Sequence, residues 1–318
     1  MTLIPVDELH HVTVVVRDLE AAARGYALVY GIGTWRVVRA RRLPHAIATG
    51  TTAAGLTFRL VQPAGRGGLF ADFLAARGPG VCSLCLTVLS ESDMRLLRAG
   101  LVDAGVAIAQ EETPAGSSRH YHLDTRRALG GFHVEVVVPV GVDHADEEWH
   151  LAAVSRRPPG IAAVDRLWHV GVAVGSLEER LPEYERLLGV TGWDRVDFRP
   201  EPGSLERSTL DGTVVRHAFS LAKARLADIE VEIVQSTQEP THYRREFIDR
   251  VGEGVHHLLA LPSLREAEWL RLRAWMESIG VPVAMSGLVR LGAAEFFYLD
   301  TRRLLGGHLL EAICRYHD

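Results

Sequence analysis

Cysteine is scarce in this chain: Cys82, Cys85 and Cys314 are the only three among 318 residues. An odd, small count excludes a disulfide framework and fits reduced thiols in a cytoplasmic protein. Cys82 and Cys85 form a C-x-x-C without a second pair or a helix start, so both read as small core residues. There is no excess of positive charge. The formal net charge is −5, which argues against a nucleic-acid footprint. No apolar run approaches the roughly 20 residues that a membrane span needs. The first residues, Met-Thr-Leu-Ile-Pro-Val-Asp-Glu, lack a basic stretch followed by an apolar one, so no signal peptide is expected. No glycine fingerprint for a nucleotide phosphate is present.

What the chain has is apolar substance and repetition. Hydrophobic residues make up 47% and charged residues 24%, enough for the cores of two ordinary domains. Val255 to Leu261, Val-His-His-Leu-Leu-Ala-Leu, is a short apolar run between Gly254 and Pro262, which is a strand signal. Period-2 alternation puts His257, Leu259 and Leu261 on one face, and His256, Leu258 and Ala260 on the other. Similar strands begin at Leu9, Val81 and Leu167, carrying His11, Ser83 and His169. Each is followed by a helix pattern and then by further strand patterns. Asp18 and Ser176 are N-cap candidates, and Gly31 and Gly189 end their helices. Two loops also repeat: Leu123 to Gly131 and Leu299 to Gly307 agree at eight of nine positions, and four residues further on stand Glu135 and Glu311. The chain therefore reads as a tandem duplication, each half being a pair of strand–helix–strands units.

This gives an α+β fold of four βαβββ units. The expected organisation is an N-terminal domain over 1–145, a linker over 146–163 with a short helix near Trp149 to Val154, and a C-terminal domain over 164–318. Each pair of units should curl into a cup, with His11, Thr13 and Val15 lining the first cup and Val12, Val14 and Val16 turned away. The helices are expected on the outside, enclosing the cores.

Chemistry is concentrated where the apolar-in, polar-out rule breaks. Glu311 sits among Leu309, Leu310, Ala312 and Ile313. A carboxylate there is costly unless paired, protonated or bound to a cation. His169 shares its face with Gly171 and Ala173, whose small side chains leave space. His169, Glu232, His257 and Glu311 occupy the first and last strands of two successive units. Two imidazoles and two carboxylates suit one divalent metal ion (Mn, Co, Ni, Zn, Mg or Fe). Glu232 is open to a second reading as a solvent-side charge beside Asp228 and Glu230. The first half keeps His11 and Glu135 but has Arg59 and Ser83 between them, which points to an internal ion pair and no metal. His217, His242, Glu295 and Tyr298 are further candidates for the second cup. Arg126, Arg127, Arg302 and Arg303 read as solvated turn charge or an anion clamp, and His10, His308 and His317 as incidental.

The unit order and the four ligand-type positions resemble the vicinal oxygen chelate superfamily, the glyoxalase/bleomycin-resistance/dioxygenase group. The resemblance implies paired βαβββ units curled around a metal. The second half is most similar to methylmalonyl-CoA epimerase and glyoxalase I, which place a ligand at the position of Glu232. The epimerase-like stretch includes a helix-like Tyr243 to Ile248. The resemblance then implies a metal-dependent epimerase, isomerase or related lyase acting on a small substrate with vicinal oxygens, with catalytic roles for Glu232, Glu311 and Tyr298. The four-unit length resembles extradiol dioxygenases instead, which would use Fe(II) with His169, His257 and Glu311. A non-catalytic binding or resistance protein is the third expectation. The partners expected are a small molecule and no nucleic acid or membrane, with room for a homodimer.

Overall fold

The computed structural model describes residues 2–39, 43–114, 118–141, 144–151, 160, 162–289 and 293–316. The first unit contains β1 (His11–Val15), α1 (Leu19–Tyr30), β2 (Thr34–Val38), β3 (His45–Thr51) and β4 (Thr57–Pro63), followed by α2 (Leu69–Arg77). The second contains β5 (Gly80–Val88), α3 (Glu91–Asp103), β6 (Ile108–Glu112), β7 (Ser118–Leu123), α4 (Arg126–Leu129) and β8 (His133–Pro139), with β9 (Glu147–His150) after it. The third contains β10 (His169–Val174), α5 (Leu177–Leu188), β11 (Asp194–Phe198), β12 (Leu205–Leu210), β13 (Thr213–Val214), β14 (Ala218–Leu226) and β15 (Ile229–Gln238). A π-helix (His242–Ile248) and α6 (Asp249–Val251) lead to the fourth. That unit contains β16 (Gly254–Arg265), α7 (Glu266–Ser278), β17 (Val283–Val289), β18 (Ala294–Leu299), α8 (Arg302–Leu305) and β19 (Leu309–Arg315).

The helix boundaries follow the capping chemistry. The Asp18 carboxylate accepts from the Ala21 N–H, and Ser176 Oγ from that of Glu179. Gly31 and Gly189 close α1 and α5 in the left-handed conformation. Pro182 lies inside α5, which continues through it.

Two curled mixed sheets result. The first runs β6-β7-β8-β5-β1-β4-β3-β2-β9 and the second β11-β14-β15-β10-β16-β19-β18-β17-β12-β13. In each, the first strands of paired units, β1 with β5 and β10 with β16, run antiparallel at the centre. The last strands β4, β8, β15 and β19 each lie parallel to the first strand of their own unit. The short helix expected near Trp149 is strand at β9, which pairs with β2. Residues 152–159 and 161 of the stretch read as linker, and His317, lie outside the described residues.

Not all the helices are on the outside. Val12, Val14 and Val16 of the first sheet, Val170, Val172 and Val174 of the second, and the buried faces of α1, α3, α5 and α7 form one continuous core. Within it α1 and α5 lie at the contact between the halves, whereas α3 and α7 keep an exposed side, at Leu96 and Leu270. The reason is visible at the domain contact. Tyr26 of α1 donates a hydrogen bond to Leu305 O at the end of α8, at 2.9 Å. Tyr184 of α5 donates to Leu129 O at the end of α4, at 2.8 Å. The repeated loops are therefore reciprocal contacts between the halves. Arg126 and Arg302 are tied back to Asp124 and Asp300 of their own loops.

The glycines ending those loops explain their repetition. A Cβ on Gly131 (φ +92°) would stand 1.8 Å from Glu253 O, and one on Gly307 (φ +96°) 2.0 Å from Pro79 O. Each half thus leans on the start of the other half's central strand. Among the described residues no helix is long and apolar enough to cross a membrane. Gly307→Ala should cost at least about 2 kcal/mol, because it combines left-handed strain with a backbone clash. Gly280→Ala (φ +78°, nothing within 4 Å) should cost about 1 kcal/mol. Denaturant midpoints of the two variants provide the check, and equal losses would contradict the reciprocal contact.

Candidate metal centre

The second cup is floored by β15, β10, β16 and β19. A β-bulge sets its geometry. Gly171 pairs with His257, but Val172 pairs with Val255, so His256 is the extra residue. Bulging breaks the alternation and turns His256 and His257 to the same side, contrary to the period-2 expectation. The His257 ring lies over Gly171, where a Cβ would come within 1.9 Å of its Cε1. The space beside His169 is thus filled by an imidazole.

His169, His257 and Glu311 are brought together, all buried. Their facing atoms form a triangle: His169 Nε2 to His257 Nε2 3.1 Å, His169 Nε2 to Glu311 Oε2 2.9 Å, and His257 Nε2 to Glu311 Oε2 3.3 Å. Glu311 Oε2 nevertheless has no hydrogen-bond partner, so the imidazoles converge beside it without bonding it. Three donors at right angles around a divalent ion with bonds of about 2.1 Å would be about 3.0 Å apart. The triangle fits one face of such an octahedron. Glu232 is also buried, so it is not the solvent-side charge of Glu230. Its Oε1 lies 3.4 Å from His257 Nε2, beside the triangle. Burial alone would raise the Glu232 pKa, but His169 and His257 outweigh it and hold the carboxyl below its usual range.

Behind the triangle runs a chain of buried histidines. His257 Nδ1 lies 3.0 Å from His256 Nδ1, and His256 Nε2 lies 2.8 Å from His242 Nδ1 on the π-helix. Burial holds His242 down to about 3 and pushes His256 well below the usual imidazole range, so both stay neutral. Neutral imidazoles in series must share one donor direction. The Tyr298 ring lies 4.7 Å from that of His257, tilted by 40°, and its hydroxyl shares a 2.6 Å hydrogen bond with Tyr243 OH. Burial raises both phenols, so both remain protonated. The cup holds a cavity of about 90 Å³, open to solvent on one side, whose lining includes Glu232, Glu311 and Tyr298.

Other candidates fall elsewhere. Glu295 accepts from Tyr316 OH at 2.5 Å and lies outside this lining. His217 is buried with neither ring nitrogen bonded. His308 is buried and held to about 3, and His10 is paired with Asp7 and Glu8.

In the first half the same strand positions carry a polar network. Glu135 occupies the register of Glu311, Arg59 that of Glu232 and Ser83 that of His257. Thr13 and Ser83 hydroxyls donate to Glu135 Oε2, both at 2.8 Å. Oε1 receives His120 Nδ1 at 2.7 Å, His11 Nε2 at 3.1 Å and Arg59 Nη1 at 3.4 Å. Arg59 also binds Glu112, which takes His45 Nε2 at 3.0 Å. The expected ion pair is present, but larger than the sequence reading had it. His45, Glu112, His120 and His122 were missed. The i, i+2 spacing of His120 and His122 on a strand was the available signal. His11, His120 and Glu135 also cluster closely enough to hold a cation, but the Arg59 guanidinium already faces that carboxylate. Burial, then Arg59, lowers His120 to about 4.

The family pattern described as Glyoxalase/Bleomycin resistance protein/Dioxygenase superfamily matches residues 10–122 and 168–298. Among solved structures, a triple variant of 4-hydroxymandelate synthase from Streptomyces coelicolor is similar over 99% of this chain and 95% of its own, with TM-score 0.64 and 15% identity. A Mn(II)-bound glyoxalase from Novosphingobium aromaticivorans is similar over 98% and 83%, with TM-score 0.52 and 16% identity. Methylmalonyl-CoA epimerase from Mycobacterium tuberculosis matches 44% of this chain and 91% of its own, at 25% identity and TM-score 0.37. The two full-length likenesses bear on the fold alone. No curated protein matches the chain.

The buried network gives stability a definite pH response. His120 and His133 titrate near 4 in the folded chain, against about 6.5 when unfolded. The unfolded chain therefore takes protons first, and stability falls as pH drops from about 6.5 toward 4, by on the order of 1.4 kcal/mol per pH unit for each group. Glu135 is held well below its usual range because the imidazoles and Arg59 outweigh its burial. Its contribution should be lost below about pH 4.3. Denaturant midpoints of the metal-free protein at about pH 7.5, 5.5, 4.5 and 3.5 read both phases, the first between 6.5 and 4 and the second below 4.3. Glu135→Ala, leaving Arg59 short of a partner, should cost about 3–5 kcal/mol.

Proposed function

Because the chain belongs to the Glyoxalase/Bleomycin resistance protein/Dioxygenase superfamily, whose members include epimerases, glyoxalases and dioxygenases, we propose that its second half is a divalent-metal-dependent epimerase, isomerase or related lyase. Its substrate would be a small molecule with vicinal oxygens. His169, His257 and Glu311 would hold the ion, with Glu232 as the fourth donor. The observation that carries this reading is Glu232: a second buried carboxylate, kept ionised, beside His257 and facing the cup. When bound, such an ion acts as a Lewis acid toward the substrate's carbonyl oxygen.

The chain's own residues supply the rest. Glu232 is the carboxylate placed to take and return the proton next to the carbonyl. Tyr298, its hydroxyl turned to Tyr243, braces the His257 ring and closes the wall. The His256–His242 chain holds the His257 ring from behind, with Nε2 turned toward His169 and Glu311.

A second reading, an extradiol-type dioxygenase, is favoured by one observation: the close triangle contains His169, His257 and Glu311 and leaves Glu232 beside it. A non-catalytic binding protein would use the same cup without turnover. Elemental analysis of the metal-loaded full chain is expected to find one ion that His169→Ala removes. Glu232→Ala should weaken Mn(II) binding by at least about tenfold and abolish proton exchange. That exchange is read by NMR as loss of a substrate C–H signal in D₂O across a panel of 2-hydroxy and 2-oxo acids. Unchanged metal affinity in Glu232→Ala, together with oxygen uptake on a catechol-type substrate, would decide for the dioxygenase.

A further inference from the structure

The second cup holds two cations that nothing at its floor uses. Lys223 and Arg315 line the cavity together with Glu232 and Glu311. Among the described residues neither has a hydrogen-bond or ion-pair partner, unlike the buried Arg59 and the half-buried Arg180 and Arg302, each of which is paired to a carboxylate. Lys223 is the direct cross-strand partner of Glu232 on β14 and β15, so their Cβ atoms lie about 5 Å apart on one face. The two nevertheless form no ion pair within 4 Å. Both cations are half-buried and share the cavity wall with the aromatic rings of Phe198, Phe219 and Phe296.

Charge then limits what the cup can accept. If Glu232 and Glu311 balance a divalent ion, as the proposed function has it, Lys223 and Arg315 remain uncompensated in a partly dry, aromatic-walled space. Half-buried cations of this kind are stabilised by an anion that brings its own charge to them. Lys223 stands directly across from Glu232, so an anion that meets it while the chelating oxygens sit at Glu232 and Glu311 must be only a few bonds from them.

We infer that the substrate carries a second anionic group, a carboxylate separate from its chelating oxygens, which Lys223 and Arg315 bind. The class is a short acid with vicinal oxygens at one end and a carboxylate at the other. This rests on the reading of the cup as a metal-dependent site, and the test separates the two claims.

The probe is a matched pair: malate and 2-hydroxybutyrate share the chelating hydroxyl and carboxylate and differ in a terminal carboxylate against a methyl. Isothermal titration of both into the Mn(II)-loaded full chain should show malate binding at least about tenfold tighter, as a charge-assisted pair in a half-buried site implies. Lys223→Met should reduce the preference to about twofold or less and Arg315→Met should reduce it in part, while 2-hydroxybutyrate binding and metal content stay the same. Equal binding of the two acids, a preference that survives both substitutions, or no measurable binding of malate would overturn the inference. Loss of the ion from the unsubstituted chain would count against the metal reading instead, and the same titration on the metal-free protein would still report whether Lys223 selects the carboxylate.

Discussion

A carboxylate buried on the last strand of a curled sheet is the constraint around which both halves are built. Left alone, such a group would be neutralised or would destabilise the fold. The chain meets the same demand in two ways at equivalent positions. Around Glu135, two hydroxyls, two imidazoles and the Arg59 guanidinium supply donors from within the protein. Around Glu311, two imidazoles approach without bonding it, and a second carboxylate joins them instead of an arginine. The first arrangement is complete in itself. The second brings three ligand-type atoms into one close triangle.

Much of this was legible in the sequence because the duplication repeats each signal. Glu311 stood out among leucines, and its distance from the repeated loop matched that of Glu135. His169 and His257 sat at matching places in matching strands. What alternation could not show was the bulge at His256, since it is a property of pairing between β10 and β16, not of either strand alone. The same limit hid the network around Glu112, whose partners lie on four different strands. The placement of the helices was also beyond the pattern. An amphipathic helix announces an apolar face, but not whether a second sheet will cover it.

The repeated Leu-Asp-Thr-Arg-Arg loops carry a role that their charges do not announce. Two arginines in each suggested solvated charge or an anion clamp. In the structure Arg126 and Arg302 serve their own aspartates, and the residues that needed repetition are the glycines, which let backbone meet backbone across the halves. Charge drew the attention, while the missing side chains did the joining.

That joining is reciprocal. The loop of the second unit supports the start of β16, the strand that carries His256 and His257, while the loop of the fourth supports the start of β5, which carries Ser83. Neither cup is framed by its own half alone. The duplication has therefore left two chambers that no longer have separate histories: a change drifting into the hydrogen-bonded chamber reaches the other through the alignment of its central strand. The hydrogen-bonded half thus helps to hold in line the strand on which the other half's imidazoles stand.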